Sequence, residues 1–371
     1  MRDNAKQFPV CRMKLKAIIQ CAVLAALAVM LPLTNAATLH EGDPAPKLFV
    51  SKWVQGEPVE DFKPGTVYIV TFWATWWAPC KDAISHLNRL HNKYKDKGVV
   101  IIGQNTKQGD VKRVEPFIKR MGDLMKYRVA LDDCTGVTNK FFGKMVENWL
   151  DPAEEGIPIA FVIDKHGKIA FIGHPNDVDD KIIDQLLADT FDTKKRALEK
   201  EALPAKVEAW EIHNELGKEA WKANQWDKAM KEIDVLEKIF PQKRPVTQCL
   251  RIRVLMGKED FDAASKVAMQ LSAENSDDPY VQNRIARTIA NRTPTNNVIL
   301  NTANLLMERA VTRLKGPDPE FLHTQARLAF LQGKKERAIQ LETEAFDVAE
   351  AGIKDQIAQA LESFKQGKLP Q

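Results

Sequence analysis

The segment Trp77-Ala78-Pro79-Cys80 places a cysteine thiol at the start of a predicted helix. The apolar run before it, residues 67–72, is typical of a buried β-strand. A helix N-terminus stabilises a thiolate, which is the attacking species in disulfide exchange. Exchange also needs a second thiol to release the mixed disulfide, and the residue at the first position of this four-residue motif is an indole, which cannot attack. We therefore expect that this segment cannot shuttle a disulfide by itself.

The charge of the chain argues against nucleic acid and the membrane surface as partners. The 371 residues carry a formal net charge of +4. The segment 1–36 contributes five basic residues and one acidic residue, and removing them from the totals of 54 and 50 leaves the remainder balanced. A balanced remainder has no large single-sign surface to attract either partner.

The N-terminus has the three parts of a secretory signal. Lys14 and Lys16 form a positive region, residues 17–33 are largely apolar, and small residues near Ala36 suit cleavage. We therefore predict a signal peptide at 1–36, with export to the periplasm or cell envelope and no other membrane segment. An uncleaved anchor is the alternative, although the apolar run is short for a span.

Three cysteines remain after the predicted leader: Cys80, Cys134 and Cys249. An odd number is unusual in an oxidising compartment, so at least one must be buried, reactive or paired between chains. Cys134 follows a predicted strand and is a possible second thiol for Cys80, if the two share a sheet edge. Cys249 lies in a helical pattern and is expected in the core. No cysteine, histidine or acidic cluster has metal-ligand spacing, so we predict neither metal nor cofactor.

Strands and helices alternate between residues 37 and 193, which predicts an α/β domain. Strands separated by helices are expected to pair in parallel, whereas the turn at 164–167 predicts an antiparallel last pair. The predicted strands are residues 66–72, 99–104, 127–131, 159–163 and 168–172. The predicted helices are residues 79–94, 111–121, 136–149 and one that begins near 178.

Residues 41–190 resemble the exported thioredoxin-like proteins of the TlpA/ResA type, within the wider redoxin group. The segments that carry this resemblance are 42–46, 72–76, 78–80, Asp132, 156–158 and 161–169. The resemblance implies a thioredoxin-like fold, a role in cell redox homeostasis and the activity of a thiol-disulfide oxidoreductase. It also implies that Cys80 stands at the resolving position and Pro158 at the cis-proline position, while Trp77 replaces the nucleophile.

The same resemblance implies a groove that grips an extended polypeptide near the proline. Its expected lining is Trp76, Trp77, Pro79, Ile157 and Pro158. Two tryptophans side by side would form an apolar platform, as aromatic anchors do at interfaces. The alternative is that Trp77 packs beneath the first turn of the helix.

Residues 194–371 are rich in Ala, Lys, Glu and Gln, with apolar residues at helical spacing, which predicts an all-α domain. Aromatic–alanine pairs at Trp226/Ala229 and Phe261/Ala264 and a similar segment at 332–338 recur at about the tetratricopeptide spacing. The segment near 301–313 is a degenerate unit. These stretches resemble tetratricopeptide repeats, and an irregular helical bundle is the alternative. Such repeats present concave surfaces to protein segments.

Two functions remain open from the sequence. In the first, the chain is a redox protein that uses Cys80 as its catalytic thiol on protein thiol substrates. The helix N-terminus and Lys81 would favour its thiolate. The alternative is that Cys80 is an inert, half-buried remnant, because a resolving thiol lies deeper than a nucleophile and a buried thiol stays protonated. In the second, it is a non-catalytic binding module of the cell envelope, which grips a protein partner with the thioredoxin groove and the repeats. The degenerate motif at Trp77 motivates this reading.

Overall fold

The computed structural model describes residues 39–138, 141–151, 153, 155–292 and 295–370. The predicted signal peptide lies outside them. Residues from Leu39 onward form one compact unit. It consists of a thioredoxin-like α/β region followed by a helix-rich region. Within the described ranges, no helix has the length and hydropathy needed to cross a bilayer.

A six-stranded sheet in the order β1-β4-β3-β2-β5-β6 forms the centre of the α/β region. The strands are β1 Val50–Gln55, β2 Val67–Trp73, β3 Val99–Asn105, β4 Arg128–Asp132, β5 Ile159–Ile163 and β6 Ile169–Gly173. Strands β2, β3 and β4 are parallel, and β5 and β6 pair antiparallel, as predicted. The edge strand β1, which pairs antiparallel with β4, was not predicted, because only part of it is buried.

The prediction that β5 runs parallel to the preceding strands is wrong, because β5 pairs antiparallel with β2. The predicted helix at 136–149 is found only in its last part. Residues 144–145 are α-helical and continue into a π-helical segment, Val146–Leu150, whereas the described residues before them form turns and irregular structure. A parallel crossover needs an element long enough to return the chain to the opposite end of the sheet. Residues 133–158 are long enough for such a crossover, but among those described only 144–150 are helical, and the chain enters β5 beside the end of β2.

Helices cover one face of the sheet, and the π-helical segment Val146–Leu150 covers part of the other. The α/β region contains α1 Ala78–Tyr94, α2 Val114–Met121 and α3 Asp180–Leu187. The apolar face of α1 buries Ile84, Leu87 and Leu90 against the sheet. On the other face, Trp149 packs edge-on against Phe161 at 5.2 Å between ring centroids. Burial on both faces explains the continuous apolar run of β2.

After α3, the part of the chain that the structure describes forms ten further helices. They are α4 Thr193–Glu201, α5 Leu203–Lys222, α6 Trp226–Ile239, α7 Arg244–Gly257, α8 Phe261–Glu274, α9 Pro279–Ala290, α10 Asn297–Val311, α11 Pro319–Leu331, α12 Lys335–Val348 and α13 Ala351–Lys365. Consecutive helices from α5 to α12 pack as hairpins. Ala229, Ala264 and Ala338, near the starts of α6, α8 and α12, are at most 1% exposed, which is the close helix approach that the sequence predicts. The tetratricopeptide assignment and the boundary at 193/194 remain predictions.

The helix-rich region packs directly on the α/β region. One cluster of buried apolar side chains contains residues from both. The Tyr280 hydroxyl donates to Met121 Sδ at 3.2 Å, and the Lys315 amide donates to the Arg120 carbonyl at 2.8 Å. These contacts bring α9 and the α10–α11 connection against α2, close to the segment that contains Cys80.

Candidate functional site

The motif lies at a strand–turn–helix junction, where the sequence predicts it. Strand β2 ends at Trp73, and α1 begins at Ala78 with Trp77 as its N-cap residue. The Cys80 amide donates to the Trp77 carbonyl at 3.0 Å, which closes the first turn. Trp77 therefore stands at the mouth of the helix, with Cys80 in the first turn behind it.

Cys80 is buried, with only 2% of its surface exposed. Burial raises the pKa of its thiol to about 12, and Asp82 contributes in the same direction. A backbone hydrogen bond with Ala74 and the charge of Lys81 act against this rise but do not overcome it. The expectation that the helix terminus and Lys81 favour the thiolate is therefore wrong, because desolvation has the larger effect.

Lys81 is held by a carboxylate that sequence analysis did not identify. Its Nζ lies 2.7 Å from Glu320 Oε1, and the two side chains are 5% and 16% exposed. The nearby Asp318 and Glu320 raise the pKa of this ammonium despite its burial. No local sequence signal links positions separated by 239 residues. The positive charge beside Cys80 is thus committed to a buried ion pair.

Trp77 is 41% exposed, so the alternative in which it packs beneath the helix is wrong. Its ring lies 5.6 Å from that of Trp76, which is partly buried and donates through Nε1 to the Lys107 carbonyl at 2.8 Å. The Phe141 ring is 6.2 Å from Trp76 and 5.3 Å from that of Phe142, which is 40% exposed. We call Trp76, Trp77, Phe141 and Phe142 the aromatic platform. Sequence analysis missed the two phenylalanines because it placed them within a helix.

Pro158 lies at the same end of the sheet as the motif. The antiparallel register pairs Phe72 with Ile159, so the residue that precedes β5 lies beside those that follow β2. The Ile157–Pro158 peptide bond is cis, as predicted. Ile157, Pro158 and Pro79 are each partly exposed, and Ile157 also packs against the core.

The helix-rich region reaches the motif from the other side. The Thr75 hydroxyl donates to Glu350 Oε2 at 2.8 Å, and Arg284 on α9 forms an ion pair with Asp82. With the pair between Lys81 and Glu320, these contacts fix both the turn before α1 and its first turn. None of these contacts is visible from the sequence, because each joins residues more than 200 positions apart.

The remaining thiols do not complete the site. Cys80 forms no disulfide bond with Cys134, so the possible pairing of the two is not found. Cys134 follows β4 and is half-buried, with its Sγ 3.9 Å from the Asp132 carbonyl oxygen. Cys249 is buried in α7, as expected, and burial raises the pKa of its thiol. Among the described residues, no group of three or more His, Cys, Asp or Glu side chains could hold a metal ion.

Comparison with known proteins gives the family context of this site. A sequence profile of the AhpC/TSA family matches residues 42–172. The chain is 30% identical over 176 residues to protein FixW of Rhizobium leguminosarum, covering 46% of this chain and 74% of that protein. It is 33% identical over 138 residues to the thiol-disulfide oxidoreductase ResA of Bacillus thuringiensis, covering 37% and 70%.

Solved structures with similarity to this chain cover less than half of it. The crystal structure of a thiol-disulfide isomerase from Corynebacterium glutamicum shares 24% identity, with a TM-score of 0.33. The match covers 40% of this chain and 96% of that one.

Proposed function

This chain belongs to the protein family that includes the thiol-disulfide oxidoreductase ResA, and from that premise we propose that it binds extended polypeptides without exchanging their disulfides. Residues 77–80 retain the position of a dithiol site but only one of its sulfurs. The groove beside Pro158 and the aromatic platform then acts as a binding surface. Of the two functions that the sequence leaves open, we thus favour the binding module over the redox enzyme that uses Cys80.

One observation carries the proposal: an exposed indole occupies the mouth of α1 and the only motif sulfur is buried behind it. Disulfide exchange requires a thiolate that can reach the substrate sulfur. With a pKa of about 12, only about one Cys80 thiol in 10⁵ would be ionised at pH 7. Exposure and ionisation thus both act against attack by Cys80.

The aromatic platform supports binding in place of chemistry. Trp77 and Phe142 offer apolar surface to solvent, and aromatic side chains are the usual anchors of protein interfaces. Trp76 is positioned by its hydrogen bond to Lys107, so the platform is preorganised. A protein partner with an exposed, extended apolar segment fits this surface.

We also propose that the chain is exported and that its helical hairpins are tetratricopeptide-like. The signal-like composition of residues 1–36 supports export, and the buried alanines of α6, α8 and α12 support the repeats. N-terminal sequencing of the protein from a cell-envelope fraction tests export. A first residue near 37 is expected, and a chain that keeps residues 1–36 would contradict cleavage.

The binding proposal is tested with a substrate that has no thiols. Reduced, carboxymethylated lactalbumin is unfolded and cannot form a mixed disulfide. We expect it to bind the wild-type protein, as measured by fluorescence anisotropy of the labelled polypeptide. Trp77→Ala should weaken binding by about tenfold or more, as interface anchors do.

Ile212→Ala is the matched control, because Ile212 is 52% exposed on α5, outside the platform. It should leave the affinity unchanged, and Cys80→Ser should as well. Equal binding by Trp77→Ala and the wild type would contradict the proposed groove.

A further inference from the structure

A second cavity lies in the helix-rich region, outside the thioredoxin-like site. Its volume is about 820 Å³. Side chains of α9, α11 and α13 and the segment after α13 line it: Arg287, Asn291, His323, Arg327, Gln356, Gln359, Ala360, Ser363, Lys368, Leu369 and Pro370. This lining contains three positively charged side chains and no carboxylate.

Arg327 is the buried cation of the cavity, at 5% exposure. Its Nε donates to the Ala290 carbonyl at 3.3 Å and its Nη1 donates to the Pro370 carbonyl at 2.8 Å. A guanidinium has five N–H donors, so this side chain is held in place with donors to spare. The hydrogen bond from Arg327 to Pro370 also shows that this side chain binds the backbone of a non-helical segment, residues 368–370.

Two carboxylates lie behind the lining. Glu342 is fully buried, lies 2.7 Å from Nδ1 of the lining residue His323, and also interacts with the charge of Arg327. Glu320 lies 3.8 Å from Arg287, but its shorter contact, at 2.7 Å, is with Lys81. The Arg287 side chain is 43% exposed, and Lys368 is also exposed. Both therefore keep charge available to a ligand.

The remaining polar lining suits a peptide backbone. Asn291, Gln356 and Gln359 each carry an amide that both donates and accepts, and Ser363 adds a hydroxyl. Arginine binds carboxylates through paired N–H groups. A volume of this size lies within the usual range for ligand sites.

We propose that this cavity binds an acidic peptide segment, with a carboxylate held by Arg287, Arg327 and Lys368 and the backbone by the amides. The site uses no atom of the aromatic platform and no thiol, so it goes beyond the function proposed above. If lactalbumin failed to bind at the aromatic platform, the proposal of a peptide site in this cavity would be unaffected.

The test uses the full chain and a fluorescent, acetylated and amidated penta-glutamate peptide in fluorescence anisotropy. Binding is expected, and it should weaken as salt rises because the contact is electrostatic. The double variant Arg287→Gln/Lys368→Gln should weaken the affinity by at least about tenfold, because the loss of even one charge-assisted hydrogen bond has an effect of that size. Arg327 is left unchanged because it also holds two backbone carbonyls.

The matched control is Arg337→Gln/Lys266→Gln, which removes two exposed charges on α12 and α8 away from the cavity. It should bind the peptide like the wild type. A penta-glutamine peptide and citrate separate the ligand sources. Equal binding of penta-glutamine, binding of citrate alone, or equal losses in both double variants would each overturn the proposal.

Discussion

Trp77 and Cys80 divide between them two properties that a disulfide-exchanging cysteine must combine. Trp77 has the exposure at the helix mouth, and Cys80 has the sulfur. Burial keeps that sulfur protonated, because the free energy needed to move a thiolate into an apolar environment exceeds the stabilisation that the helix terminus provides. Position alone, without accessible sulfur, does not provide the chemistry.

Cys80 should therefore react slowly with alkylating reagents. With a pKa of about 12, about one thiol in 10⁴ is ionised at pH 8, and the side chain is 2% exposed. We expect iodoacetamide to modify the half-buried Cys134 at least about tenfold faster than Cys80, since thiolate content and access control the rate. Mass spectrometry of peptides from a time course measures both rates in one sample.

Unfolding the chain in guanidinium is the control for this measurement. There, Cys80 and Cys134 should react at similar rates, because both are exposed to solvent. Equal rates in the native protein would show that Cys80 is accessible and would contradict its assignment as a buried thiol.

The features of the site that depend on local chain order could be predicted, and those that depend on distant segments could not. The strand–turn–helix placement of Cys80 follows from a short motif, and the cis bond at Pro158 is what the family resemblance implies. The partners of Lys81 and Thr75 come from the helix-rich region, and no spacing rule identifies Glu320 or Glu350. From the sequence, the charge of Lys81 is expected to stabilise a Cys80 thiolate. In the structure that charge is paired with Glu320 instead.

At the scale of elements, strands with continuous apolar runs were the most predictable. Strand β2 is buried along its whole length, and its pattern defines it. Strand β1 is partly exposed and lacks such a run, so it was missed. The connection that contains Val146–Leu150 has helical periodicity and enough length for a crossover, so it indicated a parallel β5, whereas β5 runs antiparallel to β2.

The start of α9 makes a pH-dependent contribution to stability. Asp278 caps this helix, accepting from the amides of Tyr280 and Val281 at 2.9 and 3.1 Å. Burial, with the nearby Asp82 of α1, raises its pKa from 3.8 to about 6. The folded chain thus holds this proton more tightly than the unfolded chain. The resulting stabilisation is complete below pH 3.8 and is lost as the pH rises to about 6.

Asp278→Asn should keep the cap and remove the charge. We expect its free energy of unfolding, relative to wild type, to increase by about 1 kcal/mol between pH 5 and pH 7.5. Urea denaturation at the two pH values measures this change. Asp260→Asn, at the exposed cap of α8, is the matched control. A relative stability of Asp278→Asn that falls with rising pH would contradict the assignment.

At the scale of the whole molecule, the helix-rich region is part of the thioredoxin-like site rather than an appendage to it. Three polar contacts, through Thr75, Lys81 and Asp82, join it to the segment around Cys80. A continuous cluster of buried apolar side chains extends across the same boundary. The two regions should therefore unfold together.

The buried pair between Lys81 and Glu320 should contribute to this coupling. Glu320→Ala leaves a buried ammonium without its closest partner, which should lower the free energy of unfolding by about 3 kcal/mol. Guanidinium denaturation followed by circular dichroism measures the loss. Replacement of both charges, by Lys81→Met and Glu320→Leu, should restore most of it, because no unpaired charge remains.

Glu115→Ala is the control for an ion pair at the surface. Glu115 pairs with Lys52, and both side chains are more than half exposed. Its removal should change the free energy of unfolding by at most about 1 kcal/mol. If Glu320→Ala and Glu115→Ala lost equal stability, the interface pair would have no role in joining the regions.

The reduction of insulin by dithiothreitol, followed by turbidity, tests most directly whether a disulfide-exchange scaffold remains without its attacking sulfur. Wild type and Cys80→Ser should both leave the uncatalysed rate unchanged, and Trp77→Cys should accelerate it because the new thiol would lie exposed at the mouth of α1. Trp77→Cys/Cys80→Ser should lose most of that gain, because the mixed disulfide would have no resolving thiol. Wild-type turnover that Cys80→Ser abolishes would contradict the account.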